Sequence, residues 1–91
     1  MGRASRRKPE RLAAKLIDIR MKLDLSQNGI ISRMGLEEEL AREEVSAFER
    51  GVRVPPLHVL LQYARLAGVC LDTLVDDEID LPRKLPSRPR H

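Results

Sequence analysis

The sequence predicts a small all-α domain of five helices with a basic, irregular tail at each end. Apolar residues recur at the three- and four-residue spacings of amphipathic helices, and no segment alternates as a half-buried strand does. Glycine, proline and serine fall where such helices would begin and end. The 91 residues are 42% hydrophobic and only 2% aromatic, which is enough for one modest, aliphatic core.

A first helix is predicted over 10–23. Pro9 suits its first turn, because the missing N–H of a proline would be unbonded there in any case. The polar residues Lys15, Asp18 and Lys22 fall largely on the outer side. The apolar residues recur at spacings of four, three and four without an intervening glycine or proline: Leu12, Leu16, Ile19 and Leu23.

A second helix is predicted over 27–34. Ser26 is a good N-cap residue for it. Gly35 can adopt the left-handed conformation that often ends a helix. The buried face is formed by Ile30, Ile31 and Met34.

A third helix is predicted over 36–50, before Gly51. Its apolar residues Leu40, Val45 and Phe48 are separated by five and three positions. The start is open between residue 37 and residue 41. The earlier start places three glutamates in the first turn, where the helix dipole favours acids.

Two more helices follow the Pro55-Pro56 pair, which forbids helix on the residue before each proline. The fourth covers 57–67 and ends at Gly68, and the fifth covers 71–76. With them, the chain divides into a basic arm over 1–9, a helical domain over 10–76 and a proline-rich tail over 77–91.

Charge follows this division. Residues 1–9 carry four basic residues and no acid, and so do residues 82–91. Nine basic and 14 acidic residues lie between them, so the body is acidic although the chain is +3. Basic tails suit a polyanion such as DNA, whereas an acidic body argues weakly against one.

A specific motif runs through the domain. Two short helices joined by a glycine-containing turn are typical of a helix-turn-helix. The motif residues are Leu25-Ser26-Gln27, Met34-Gly35, the run from Val45 to Arg53, Pro56 and the run from Leu66 to Leu74. Over roughly residues 11–76, the chain resembles the phage repressor and Cro type of helix-turn-helix transcriptional regulator, the xenobiotic-response-element (XRE) family.

This resemblance implies a lambda-repressor-like domain whose third helix enters the major groove of double-stranded DNA, with the second across the backbone. We expect a transcriptional repressor that occupies a promoter as a homodimer. The positions matching exposed base-contacting residues are Arg42, Glu43, Ser46 and Ala47. The positions matching phosphate contacts are Gln27, Arg50 and Arg53. Glu49 matches an acid that the family ties into its own scaffold.

The chain departs from the family pattern between Gly35 and Val45, which is about four residues longer, or one helical turn. The added residues are acidic, and carboxylates facing phosphates repel. Glu43 and Glu44 are therefore also interpreted as solvated surface, although a glutamate can accept from cytosine N4. The alternative function is a protein-interaction or antitoxin-like module on the same fold, whose acidic third helix meets a basic partner.

The arm offers a second DNA contact. Its basic residues could enter the minor groove beside the main site: Arg3, Arg6, Arg7 and Lys8. The alternative is a solubilising tail. Candidate residues for the dimer interface are Tyr63, Ile79, Leu81 and Leu85.

The sequence shows no motif that is typical of a disulfide framework, a metal site or a catalytic site. The single cysteine, Cys70, excludes an internal disulfide, and we expect it to be a buried thiol. His58 and His91 have no second ligand at a metal spacing. No nucleophile–base set is visible. We therefore expect no catalytic site, metal, cofactor or small-molecule substrate, and a cytoplasmic protein with no membrane segment.

Overall fold

The computed structural model describes residues 9–86, and this part of the chain is all-α, as predicted. Within it no residue lies in a strand. Helix α1 packs against α3, α4 and α5, and α2 packs against α3 and α4. The five helices are α1 (Leu12–Lys22), α2 (Gln27–Met34), α3 (Arg42–Glu49), α4 (Leu57–Ala67) and α5 (Leu71–Val75).

An aliphatic core lies where these helices meet. The two aromatic residues are inside it, with Phe48 1% and Tyr63 0% exposed. Tyr63 is therefore wrong as a dimer-interface candidate, since its side chain belongs to the core of one copy. Leu81 and Leu85 also pack against the core and are partly buried. Ile79 remains 37% exposed.

The predicted bounds of α2 and α4 are confirmed. The Ser26 hydroxyl accepts a hydrogen bond from the Gly29 amide at 2.8 Å, which caps α2. Gly35 ends α2 with a φ of 72°. At that angle a side chain would be strained, so glycine fits the local backbone.

Helix α3 begins at Arg42, so the prediction of helix from residue 36 is wrong. The amides of Glu39 and Leu40 donate to the Leu36 carbonyl at 3.0 and 2.9 Å, which makes one isolated turn. Ala41 then takes an extended conformation and breaks the path. The residues added relative to the family pattern thus form a loop, and the later of the two starts is the observed one.

Helix α1 begins two residues later than predicted, at Leu12. The backbone amides of Glu10 and Arg11 donate to the Asp77 carboxylate at 2.9 and 3.0 Å. Because Asp77 holds these amides outside the helix, Pro9 precedes the first turn instead of lying in it. Arg11 also pairs with Asp80, so two acids of the C-terminal segment fasten the start of α1.

Lys15 is buried, contrary to the prediction that it faces solvent. Its ammonium donates to the backbone carbonyls of Thr73, Asp76 and Ile79 at 2.7, 2.9 and 2.7 Å. Burial lowers the pKa of this ammonium, with Arg11 adding to the effect. Residues 76–86, which follow α5, are irregular, as predicted, but Lys15 attaches them to the domain.

Candidate nucleic-acid interface

The inner side of α3 is fixed by an ion pair with α1, in which Glu49 is buried and Arg20 is partly buried. Arg20 donates from Nε to Glu49 Oε2 at 2.7 Å and from Nη2 to Glu49 Oε1 at 3.0 Å. Its Nη1 donates to the Leu25 carbonyl at 3.0 Å. The carboxylate raises the pKa of the Arg20 guanidinium. Glu49 is therefore a scaffold residue, as the resemblance implied, and α1, α3 and the start of α2 share one polar network.

Gln27, predicted to contact a phosphate, belongs to the same network. Its Nε2 donates to Glu49 Oε1 at 3.1 Å, and the residue is half-buried. A primary amide has two N–H donors, and this bond uses one of them. The contact fixes the side chain at the first residue of α2.

Ala47 does not fit the exposed position predicted for it, since it is 8% exposed. Its carbonyl accepts hydrogen bonds from the amides of Val52 and Arg53 at 3.0 and 3.3 Å. Gly51 makes this turn possible with a φ of 75°. The polypeptide therefore folds back over the C-terminal end of α3, and Ala47 faces the protein.

The outer side of α3 begins with two charged residues, Arg42 and Glu43. Both are exposed, and neither side chain makes a hydrogen bond or ion pair within residues 9–86. Ser46 and Arg50 follow on the stripe of Arg42, at successive spacings of four. Arg50 Nε donates to Ser46 Oγ at 3.3 Å.

Glu44 and Arg53 are held more firmly. Glu44 Oε1 accepts from the Ala41 amide at 3.0 Å, and Glu44 Oε2 lies 3.7 Å from Arg53 Nη1. Ala41 has no side-chain oxygen, so Glu44 alone supplies this N-terminal cap. The Arg53 guanidinium also lies 6.0 Å from the centre of the Phe48 ring. Its side chain is still 54% exposed.

The charge of this region changes sign along the chain. Three arginines and two glutamates face outward between residues 42 and 53, which leaves that surface weakly positive. In the loop before α3, Glu37, Glu38 and Glu39 are all exposed. Glu37 accepts from Ser32 Oγ at 3.0 Å. Glu39 contacts His58 Nε2 at 3.0 Å.

The start of the described chain lies beside this region. Pro9 and Glu10 line one pocket with Gly51, Arg53 and Val54. The predicted minor-groove residues Arg3, Arg6, Arg7 and Lys8 lie outside the described residues. Pro9, the last residue of the predicted arm, thus lines the same pocket as Arg53.

The remaining predictions concern Cys70, metal binding and membrane-spanning helices, and they are compared with residues 9–86. Cys70 is exposed, so its prediction as a buried thiol is wrong. It is the N-cap residue of α5, with no side-chain hydrogen bond, and this surface position explains the exposure. No three metal-ligating side chains are grouped in the described part. None of its helices is long and apolar enough to cross a membrane.

Comparisons of the chain with protein-family models, curated proteins and solved structures found no match. The XRE family therefore remains a prediction from the residues quoted above.

Sequence reasoning missed Arg20 and Lys15. Both belong to the apolar side of α1: Arg20 follows Leu16 by four residues, and Lys15 follows Leu12 by three. A cation on such a stripe is a signal for a buried partner, because a charge is rarely buried unless it is paired.

Proposed function

We propose that this protein is a transcriptional regulator that binds double-stranded DNA sequence-specifically, with α3 in the major groove. The observation that carries the proposal is the exposed guanidinium of Arg42 at the start of α3, which has no partner within residues 9–86. An α-helix with its side chains is about 10–12 Å in diameter. A major groove about 12 Å wide admits such a helix, and there arginine binds guanine O6 and N7 with two hydrogen bonds.

The base-reading residues in this proposal are Arg42, Glu43 and Ser46. Ala47 is left out because it is buried. Ser46 already accepts from Arg50, and a serine hydroxyl can still donate to a base.

Phosphate contacts come from residues around the base-reading helix. Gln27 is fixed by Glu49 and keeps one N–H donor outside that bond. Arg50 and Arg53 are exposed cations beyond the end of α3. Such contacts position a protein on the duplex but carry no sequence information of their own.

The arm and the dimer complete the proposal. Pro9 lines the same pocket as Arg53, so the four basic residues of the arm could follow the backbone from that phosphate contact into the minor groove. Helix-turn-helix proteins commonly bind as dimers to half-sites about one helical turn apart. We therefore expect a homodimer on a two-fold symmetric promoter site, with repression by occupancy.

The test is selection on a random duplex DNA library at near-physiological salt, for the wild type, Arg42→Ala and Arg53→Ala. We expect the wild type to recover a two-fold symmetric site. Arg42→Ala should relax the preference at one base pair and cost about 1–3 kcal/mol of binding free energy. Arg53→Ala should weaken binding to all sequences alike. Equal, sequence-independent losses in both variants would contradict the role of Arg42.

The acidic loop favours a second candidate function, a protein-interaction or antitoxin-like module. Glu38 is exposed and has no partner within residues 9–86, and Glu37 and Glu39 lie on either side. This surface is complementary to a basic protein. Failure to recover any DNA motif, with binding that disappears as salt rises, would favour this candidate over the first.

A further inference from the structure

We propose that Glu43 selects the DNA sequence by exclusion and specifies a cytosine at one position of each half-site. This inference rests on the proposed function, since it needs α3 in the major groove. It explains why a helix that approaches phosphates carries an unneutralised carboxylate on its outer side.

The structure separates Glu43 from the other two glutamates of α3. Glu49 is buried against Arg20 and Gln27. Glu44 caps the helix and lies close to Arg53. Glu43 is exposed, and its carboxylate makes no hydrogen bond or ion pair in the described part of the chain. Of the three glutamates of α3, only Glu43 therefore presents a carboxylate that has no partner among residues 9–86.

A carboxylate discriminates strongly between base edges because it only accepts hydrogen bonds. In the major groove cytosine offers its N4 amine, whereas guanine offers two acceptors and thymine an acceptor and a methyl group. Opposite guanine or thymine, the carboxylate would lose water without gaining a donor, which is unfavourable. Cytosine alone presents a donor with no acceptor on the same base. Adenine also has a donor, its N6 amine, but the N7 acceptor lies beside it.

Arg42, the residue before Glu43, has the opposite hydrogen-bonding capacity. Arg42 only donates and Glu43 only accepts, and no ion pair joins them. Side by side at the start of α3, they match a guanine and a cytosine at different base pairs. We therefore expect a half-site with two separately specified G·C pairs, one for each residue.

The experiment measures dissociation constants for the selected site and all its single-base-pair variants. Wild type, Glu43→Gln, Arg42→Ala and Glu38→Gln are compared at one salt concentration. Glu38→Gln is the matched control, since it removes the same charge from an exposed, unpartnered glutamate outside α3. Thermal unfolding of each variant checks that the fold is retained.

We expect the wild type to prefer cytosine over guanine or thymine at one position by about 5- to 150-fold. Glu43→Gln should lose this preference and gain tolerance for adenine, the base that glutamine reads. It should bind the unfavourable sequences more tightly than the wild type does. Glu38→Gln should shift all dissociation constants by one common factor, and Arg42→Ala should relax a different base pair.

Two results would overturn the inference, and they are distinguishable. If Glu43→Gln shifts every sequence by the same factor as Glu38→Gln, Glu43 is a solvated surface charge, although the DNA-binding proposal stands. If the wild type shows no sequence preference at all, the proposed function fails and the inference fails with it.

Discussion

Helix α3 carries residues of the same chemistry in two different surroundings. On its inner side, Glu49 is 8% exposed and accepts from Arg20 and Gln27. On its outer side, Arg42 and Glu43 have no partner within residues 9–86. The difference shows that residue type alone does not decide the role of a side chain. A charge that is paired inside the domain stabilises the fold, whereas an exposed charge without a partner can contact another molecule.

The largest expected effect is on the inner side. Glu49→Ala leaves the partly buried Arg20 guanidinium without its carboxylate. Breaking a fully buried pair costs about 3–5 kcal/mol, and we expect a loss toward the lower end of that range because Arg20 keeps some contact with solvent. Urea unfolding followed by circular dichroism measures the free energy of unfolding. Arg42→Ala is the control on the outer side, where a surface substitution changes stability by less than about 0.5 kcal/mol. Similar stability losses in the two variants would remove the distinction between the sides.

A smaller effect concerns the C-terminal segment and depends on pH. Hydrogen bonds from the Arg11 and Glu10 amides hold the pKa of Asp77 below its usual 3.8. A lowered pKa means that the ionised group stabilises the fold above pH 3.8, and that this contribution is lost as pH falls through the lower, folded-state pKa. We expect Asp77→Asn to be less stable than the wild type at neutral pH.

The pH dependence of that difference sharpens the test. The two unfolding curves should converge as the solution is acidified below pH 3.8, because the wild-type carboxylate is then progressively protonated. Glu78→Gln is the control, since the Glu78 carboxylate makes no hydrogen bond or ion pair within residues 9–86. A difference for Asp77→Asn that is constant from neutral to acid pH would contradict this account.

The parts of the fold that could be predicted depend on local signals. The N-cap Ser26 and the glycines Gly35 and Gly68 lie next to the helix ends that they define, so the bounds of α2 and α4 followed from the sequence. The start of α3 did not, because Leu36 and Leu40 have a helical spacing but form only one turn. Their pattern cannot show that Ala41 becomes extended.

The site was predictable to a similar extent. The motif placed Arg42, Glu43 and Arg53 on the surface, where the structure has them. It could not show that Ala47 is covered, because this depends on the backward path of residues 52 and 53. Likewise, the partners of Lys15 are 58 to 64 residues away, and only the folded chain brings them together.

The most direct test of the DNA-binding surface is an NMR titration of isotope-labelled protein with the duplex site that the selection recovers. A specific site is needed because non-specific binding is carried by phosphate contacts and does not engage the base-reading residues. We expect the largest changes in backbone amide shifts at Arg42, Glu43 and Ser46, with smaller changes at Gln27 and Arg53. Changes confined to the basic tails, with the amides of α3 unmoved, would contradict the proposal that α3 enters the groove.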